Sequence, residues 1–200
     1  MSVLADSVTG YLGNASWIRR MFEAGGQLKA RFGAENVYDF SLGNPDLPAP
    51  SAVAEGLRDF AEHAGEPFAF GYMPNGGFPW LREKLAAHLS AEQGVKLAAD
   101  DVLLSCGAAG GLNAFLRAVI NPGEEMISFA PYFVEYGFYV ANHGGTFKAV
   151  MSQKDTFAPD LKALEAAISE KTRVVLINSP HNPTGVIYSR KDLTALASLL

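Results

Sequence analysis

From Asp101 onward, short apolar runs of strand length alternate with segments in which apolar residues recur at helical spacing. The predicted strands are residues 102–105, 126–129, 146–150 and 174–177, and the predicted helices are residues 107–119, 132–139, 161–168 and 189 onward. Strands that alternate with helices need crossover connections, which join parallel neighbours in one sheet. The alternation therefore predicts an α/β fold with a mostly parallel sheet flanked by helices.

Before Asp101 the pattern is less regular. An amphipathic helix is predicted around residues 17–28, weakened by a pair of adjacent glycines, and a short strand is predicted at residues 37–42. Residues 43–50 hold three prolines, which forbid regular structure and make this segment a rigid connector. Ser51 is predicted to cap the helix that follows the connector.

Composition excludes several classes of protein. Sixteen basic against 21 acidic side chains give a formal net charge of −5, which argues against a nucleic-acid partner. The single cysteine, Cys106, rules out an intrachain disulfide and a cysteine-based zinc cluster and favours a reducing, cytoplasmic location. The first ten residues do not resemble a secretory signal, and no apolar run reaches bilayer length, so no membrane partner is predicted.

In open α/β sheets, ligands bind at the carboxyl ends of the strands. Residues 105–111 lead from the predicted strand 102–105 into a helix and contain three glycines. Small residues let an anion approach the backbone, and the free N–H groups of a helix N-terminus can hold a phosphate. The run lacks both the glycine spacing of a dinucleotide site and the lysine of a P-loop. A tight turn that needs small residues for packing explains it equally well.

Two further loops follow predicted strands. Phe133 comes after the predicted strand 126–129. Its ring could stack there on a flat ligand, although aromatic residues at such positions usually belong to the core. Residues 178–185 follow the strand 174–177 and are fixed by two prolines and a glycine, with Asn182 as a neutral hydrogen-bonding group. His181 could exchange protons, but a lone loop histidine is more often structural. Nothing at metal-ligand spacing accompanies it, so no metal site is predicted.

Residues 178–185 read NSPHNPTG and resemble the N-x-P-x-N-P-T-G signature of class I/II aminotransferases, the fold-type-I enzymes that use pyridoxal 5'-phosphate. Four more segments agree with this family in order and spacing. They are residues 41–46 (SLGNPD, similar to G-x-P-D), 71–82 (GYMPNGGFPWLR, similar to Y-x-x-x-x-G…L-R), 107–109 (GAA, the phosphate turn) and 131–133 (PYF, similar to P-x-[WYF]). The resemblance covers about residues 17–200.

The resemblance implies roles for individual residues. The turn at Gly107, Ala108 and Ala109 would bind the cofactor phosphate through backbone N–H groups, and Phe133 would stack on the pyridine ring. Asn182 would hydrogen-bond the phenolic oxygen of the cofactor and help orient the substrate carboxylate. The two alanines depart from the family's usual hydroxyl residues, which removes two possible phosphate ligands.

Two more roles follow from the resemblance. Gly43 would offer its backbone near the substrate carboxylate. Tyr72 would reach the cofactor phosphate of the neighbouring subunit, so the resemblance implies a homodimer with shared active sites. It also implies that residues 1–50 belong to a smaller α/β domain and its connector, and that residues 51–200 are part of the large cofactor-binding domain.

None of the eight lysines lies in the serine-and-lysine motif that carries the family's catalytic lysine. The resemblance therefore places the Schiff-base lysine beyond Leu200, together with the aspartate that pairs with the pyridinium nitrogen and the substrate arginine. The apolar face of the last predicted helix also runs to Leu200 without an end signal. We therefore expect the chain to be the N-terminal half of such an enzyme, with the remainder of both domains beyond residue 200.

The implied activity is transfer of an amino group between an L-amino acid and a 2-oxoacid, by way of the lysine Schiff base. One alternative is a β-eliminating C–S lyase on the same fold, which would release pyruvate and ammonia. Another is a non-enzymatic, cofactor-binding regulatory module. Such regulators carry a basic helix-turn-helix domain ahead of the fold, and a resemblance that begins near Trp17 leaves no room for one.

Overall fold

The computed structural model describes residues 3–40, 43 and 47–200. The chain forms two compact units, Met1–Gly71 and Tyr72–Leu200. The predicted domain boundary after Pro50 falls inside the first unit, and the assignment of residues 1–50 to a smaller domain stays a prediction. No helix among the described residues combines the length and the apolar content needed to cross a membrane.

The first unit contains helix α1 (Asp6–Phe32), a short 3-10 helix (Ala34–Asn36) and helix α2 (Ser51–His63). The glycine pair predicted to weaken the first helix lies inside α1. Gly25 is buried, and a Cβ built there would stand 2.7 Å from Asp39 Oδ2. Asp39 in turn accepts a hydrogen bond from Lys29 Nζ at 2.7 Å. The missing side chain at Gly25 therefore lets the chain after α1 fold back and pair with the helix.

Two predictions in this unit are wrong in detail. Residues 37–40 form no strand, because the Val37 N–H turns back to Ala34 O and no neighbouring strand accepts from this segment among the described residues; residues 41 and 42 lie outside them. Ser51 is not the cap of α2. The cap position is occupied by Pro50, whose side chain has no acceptor, and Ser51 is the first helical residue.

The second unit is the predicted α/β fold, and its central sheet is parallel as expected. Strand β1 (Glu125–Ala130) lies between β2 (Thr146–Met151) and β3 (Thr172–Leu176) and is parallel to both. The helices are α3 (Pro79–Gln93), α4 (Gly107–Val119), α5 (Tyr136–Ala141), α6 (Leu161–Ala167) and α7 (Arg190–Leu199), with a 3-10 helix at Ala99–Asp101.

Strand β1 is buried, and its successive side chains point to opposite faces of the sheet. Met126 packs on one face in a cluster with residues of α4 and α5. Ile127 and Phe129 pack on the other face with Leu164 of α6 and Leu196 of α7. The prediction that helices flank the sheet is therefore confirmed.

Residues 102–105 were predicted to be a strand and are not one. The Leu104 N–H donates to Gly76 O at 3.2 Å, and Val102 O accepts from Arg82 Nε at 2.8 Å. The backbone of this segment is therefore bonded to residues near α3 and not to a sheet neighbour. Leu104 also packs so closely on Gly77 that a Cβ there would stand 2.4 Å from its Cδ1. The described sheet has three strands for this reason.

The remaining boundaries differ less from prediction. The aromatic stretch 132–139 was predicted to be helical throughout, but α5 begins only at Tyr136. The predicted capping box before α7 is present: Ser189 Oγ accepts from the Asp192 N–H, and the Asp192 carboxylate accepts from the Ser189 N–H, each at 3.1 Å.

The two-faced core leads to a stability prediction. Leu164 is fully buried against the sheet, and truncation to alanine leaves a cavity. In the full-length protein, Leu164→Ala is expected to lower the free energy of unfolding by about 2–5 kcal/mol in urea titrations. Lys162→Ala, an exposed position on the same helix, should change it by no more than about 0.5 kcal/mol. Equal losses for the two variants would contradict the packing of α6 on the sheet.

Candidate functional site

The carboxyl ends of β1 and β3 lie at the same edge of the sheet. Ser128 of β1 stands opposite Leu176 of β3, and Ser128 Oγ donates to Leu176 O at 2.8 Å. Residues 131–135 leave this edge after β1, and residues 177–189 leave it after β3. The sheet therefore places the loop of Phe133 beside the loop of Asn182, as the predicted strand ends required.

The first turn of α4 has backbone N–H groups that are free to donate hydrogen bonds. Gly107 adopts a φ of +67°, a conformation that favours glycine, and no heavy atom lies within 4 Å of where its Cβ would stand. No side chain caps α4, and among the described residues no acceptor faces the N–H groups of Ala108 and Ala109. Free N–H groups at the start of a 13-residue helix attract an anion, because the helix dipole adds to their partial charges.

Phe133 is half-buried at the edge of the first core cluster. Its ring meets Tyr136 edge to face, with centroids 5.7 Å apart and an interplanar angle of 79°. Tyr136 is itself buried, and burial raises the pKa of its phenol, so it stays neutral in the physiological range. The Phe133 ring is thus in perpendicular contact with a neutral neighbour.

His181 lies inside the asparagine loop and not on its surface. It is only 5% exposed, its Nδ1 forms a 2.7 Å hydrogen bond with Thr184 Oγ1, and its ring stacks on Tyr188 with centroids 5.7 Å apart. Burial lowers the pKa of the imidazole. The sequence interpretation that this histidine is structural agrees with these contacts. The described residues hold no group of His, Cys, Asp and Glu that could bind a metal ion.

Asn182, unlike the buried His181 before it, is exposed. Its backbone N–H donates to Asn178 Oδ1 at 2.8 Å. Its side-chain amide has no hydrogen-bond partner among the described residues. The loop thus fixes the backbone of Asn182 and leaves its amide available to a ligand.

The other two predicted site residues lie apart from these loops in sequence. Tyr72 is fully exposed at the start of the second unit. Gly43 is an exposed residue of the first unit, and no heavy atom lies within 4 Å of its Cβ position. Their roles toward the neighbouring subunit and the substrate stay predictions.

A buried polar cluster lies at the opposite end of the strands, and the sequence did not reveal it. Glu125, at the start of β1, accepts hydrogen bonds from Lys148 Nζ at 2.8 Å, Ser169 Oγ at 2.6 Å and Thr172 Oγ1 at 3.3 Å. The hydrogen bond from Lys148, followed by that from Ser169, lowers the pKa of Glu125. Lys148, the lysine inside a strand, is therefore engaged far from the two loops.

Residues 34–200 match the family Aminotransferase class I and II. The chain belongs to this family. An aspartate aminotransferase of Thermotoga maritima is 36% identical over 167 residues, which are 82% of this chain and 43% of that protein. An aspartate/prephenate aminotransferase of Thermus thermophilus is 31% identical over 173 residues, 86% of this chain and 44% of the other.

Solved aminotransferase structures have the same fold. One from Eubacterium rectale matches the whole chain with a TM-score of 0.93 at 35% identity, and the match covers 50% of that structure. A mutant Thermus thermophilus aspartate aminotransferase in complex with tryptophan also matches the whole chain, with a TM-score of 0.84 at 30% identity and 50% coverage. This aminotransferase chain thus spans about half the length of the relatives it matches.

Enzymes of this aminotransferase family depend on pyridoxal phosphate, which combines a phosphate, a flat ring and a phenolic oxygen. The described residues fit each part. Unpaired N–H groups at Ala108 and Ala109 suit the phosphate, the half-buried ring of Phe133 suits the pyridine, and the free amide of Asn182 suits the phenolic oxygen. The N–H groups of Ala108 and Ala109 and the amide of Asn182 are therefore not paired with another group among the described residues.

Two residues that hold the predicted site residues in place were not predicted from the sequence. Tyr188 and Asn178 were not singled out, although one stacks on His181 and the other binds the Asn182 backbone. A signal for Tyr188 does exist, because it is an aromatic residue that follows Val186 and Ile187 directly before the capping box. The signal is weak, because an apolar run of three residues does not indicate which of the side chains points into the loop.

The buried imidazole of His181 predicts how the stability of the protein responds to acid. Because the folded pKa of His181 lies below its ordinary value of 6.5, the unfolded chain binds a proton more readily than the folded chain. His181 therefore contributes stability above pH 6.5 that is lost as the pH falls through its lowered folded pKa, with a slope of up to about 1.4 kcal/mol per pH unit.

Urea titrations of the full-length protein from pH 7.5 to 5 test this expectation. His181→Gln should flatten the slope of stability against pH, whereas His88→Gln, at an exposed position on α3, should leave it as it is. A slope that His181→Gln does not change would show that the buried imidazole does not set the response.

Proposed function

We propose that this chain is the N-terminal part of a pyridoxal-phosphate-dependent aminotransferase, which moves an amino group between an L-amino acid and a 2-oxoacid. One observation carries the proposal. In the signature loop of the family, the backbone of Asn182 is hydrogen-bonded while its exposed amide has no partner among the described residues. A loop that served only to connect β3 with α7 would not need a fixed amide at the ligand-binding edge of the sheet.

The cofactor phosphate is proposed to bind the start of α4. Gly107, Ala108 and Ala109 form the start of this helix; the Gly107 N–H donates to Ser105 O at 3.0 Å, and the N–H groups of Ala108 and Ala109 lack an acceptor among the described residues. Charge-assisted hydrogen bonds from backbone donors are short and strong, and here they need no hydroxyl side chain. The alanines therefore leave the backbone to carry the phosphate.

Phe133 and Asn182 are proposed to hold the ring of the cofactor. Phe133 is assigned to stack on the ring of the cofactor, and its own ring is held by the perpendicular contact with Tyr136. Asn182 donates its amide N–H to the phenolic oxygen and so favours the deprotonated form of that oxygen. When bound, pyridoxal phosphate supplies the electron sink for chemistry at the amino-acid carbon, and the protein supplies binding and orientation.

Other parts of the proposal concern groups outside these two loops. None of the eight lysines lies in the loops that follow β1 and β3, so the lysine that holds the cofactor covalently is placed outside these 200 residues. Gly43 is assigned to the substrate carboxylate. Tyr72, fully exposed and flanked by exposed aromatic residues, is assigned to the cofactor phosphate of a neighbouring subunit in a cytoplasmic homodimer.

Relatives support transfer over elimination. Similar proteins bear the names aspartate aminotransferase, aspartate/prephenate aminotransferase and asparagine–oxo-acid transaminase. These names describe amino-group transfer, and no observation on this chain favours the β-eliminating alternative. We therefore propose transfer without assigning one amino acid.

The reaction type is tested with the full-length protein and a panel of amino acids. With a 2-oxoacid present, it is expected to form the new amino acid and the new oxoacid in equal amounts. The same preparation should sediment as a dimer, and the 200-residue chain alone should form no product. Release of pyruvate and ammonia from a cysteine conjugate, without amino-acid formation, would replace transfer with elimination.

The role of Asn182 has its own test. Asn182→Ala removes a hydrogen bond to a charged oxygen, which is worth about 1.5–3 kcal/mol. The pKa reported by the visible absorption of the bound cofactor should therefore rise by about one to two units in the full-length enzyme. Asn142→Ala, an exposed asparagine at the end of α5, serves as the control. An unchanged titration in Asn182→Ala would remove Asn182 from the site.

A further inference from the structure

We propose that His181 is a positioning residue: held between Thr184 and Tyr188, it fixes the backbone from which the Asn182 amide projects. The inference rests on the proposed function, since it matters only if Asn182 binds the cofactor. It assigns a task to a buried residue that the proposed function leaves without one.

The side chain of His181 is held from two directions. Its Nδ1 forms the 2.7 Å hydrogen bond with Thr184 Oγ1, three residues along the chain. Its ring lies on Tyr188, with an interplanar angle of 29°. Tyr188 is itself buried, and its N–H donates to Ser179 Oγ at 3.1 Å. The imidazole therefore joins the inner surface of the loop to the segment that leads into α7.

The backbone on either side of Asn182 is held as well. The His181 N–H donates to Val186 O at 2.8 Å, and the Gly185 N–H donates to His181 O at 2.6 Å. Gly185 has a φ of +74°, which a residue with a Cβ rarely adopts, so the turn closes tightly. Together with the bond from the Asn182 N–H to Asn178, these contacts leave the Asn182 backbone little freedom.

The geometry separates positioning from acid–base chemistry. A proton-transfer group must reach the reacting atoms, whereas His181 is 95% buried and one ring nitrogen is already bonded to Thr184. The ring also stacks on Tyr188. Burial also keeps the imidazole neutral, so it adds no charge beside the cofactor.

Fixing the loop in advance removes an ordering cost from cofactor binding. Holding one side chain and its backbone in the bound geometry is worth about 2- to 10-fold in affinity. Thr184→Val keeps the shape of the side chain and removes the partner of His181. We expect it to weaken cofactor binding to the full-length apoenzyme by about this factor. Thr184→Ser should restore the affinity.

The test is a double-mutant cycle between Thr184→Val and Asn182→Ala in the full-length protein. Three quantities are measured: the dissociation constant of pyridoxal phosphate, the pKa of the cofactor absorption, and the urea stability of the apoenzyme. If His181 acts through Asn182, Thr184→Val raises the dissociation constant and shifts the absorption pKa in the same direction as Asn182→Ala. The double variant is then no worse than Asn182→Ala alone. Thr194→Val, at an exposed threonine of α7, is the matched control and should change none of the three.

The outcomes separate this inference from the proposed function. If Asn182→Ala has its effect but the losses in the double variant add, His181 does not act through Asn182 and the inference is overturned. A fall in stability with an unchanged absorption pKa overturns it equally, since that is what a merely structural contact would give. If Asn182→Ala itself changes nothing, the proposed function of the loop fails first.

A second variant keeps the test open if Thr184→Val does not fold. Tyr188→Leu removes the ring on which His181 stacks and leaves the Thr184 hydrogen bond in place. The same cycle with Asn182→Ala is expected to give the same non-additive pattern. Additive losses in this cycle would also overturn the inference.

Discussion

The burial of β1 on both faces is the constraint on which the second unit depends. Met126, Ile127 and Phe129 are no more than 1% exposed; Met126 points to one side of the sheet, and Ile127 and Phe129 point to the other. A parallel strand with apolar residues on both faces must be covered on both. The helices α4 and α5 on one side and α6 and α7 on the other follow from this requirement, and so does the direction in which every loop leaves the sheet.

Polar groups form hydrogen bonds at the amino end of the sheet, whereas several near its other end have no partner among the described residues. At the amino end, the Glu125 carboxylate accepts three hydrogen bonds. At the start of α4 and in the loop after the carboxyl end of β3, the N–H groups of Ala108 and Ala109 and the amide of Asn182 have no partner among the described residues. Proteins pair nearly all their buried polar groups, and unpaired ones collect where solvent or a ligand can reach them. The asymmetry agrees with a ligand site at the carboxyl edge and a structural tie at the other.

The sequence predicted those parts of the fold whose pattern is local. The apolar run 126–129 and the capping box at Ser189 each carry their own signal, and both are found where expected. Residues 102–105 carry the same kind of signal but form no strand, because Arg82 and Gly76 take their backbone groups. A local sequence pattern does not show that a side chain 20 residues away, such as Arg82, will bind the backbone of this segment.

The candidate site residues were likewise predicted from patterns that are local in the sequence. The motif 178–185 identified Asn182, and the turn at Gly107 was recognisable from its small residues. The contact between His181 and Tyr188 was not, because stacking depends on how the loop closes and not on the spacing of the two residues. The sequence motif therefore predicts Asn182 as a ligand-binding group, and this stays a prediction, whereas the contact between His181 and Tyr188 has no counterpart in the motif.

The composition of the asparagine loop explains why so short a segment can hold one amide free. Pro180 and Pro183 have no N–H group, so they leave no donor to satisfy. The N–H groups of His181, Asn182 and Gly185 all have acceptors inside the loop or at its ends. The histidine side chain is used within the loop, which leaves the Asn182 amide as an exposed hydrogen-bonding group on a backbone that is already fixed. A group held in this way loses little freedom when it binds, because the folding of the loop has already ordered it.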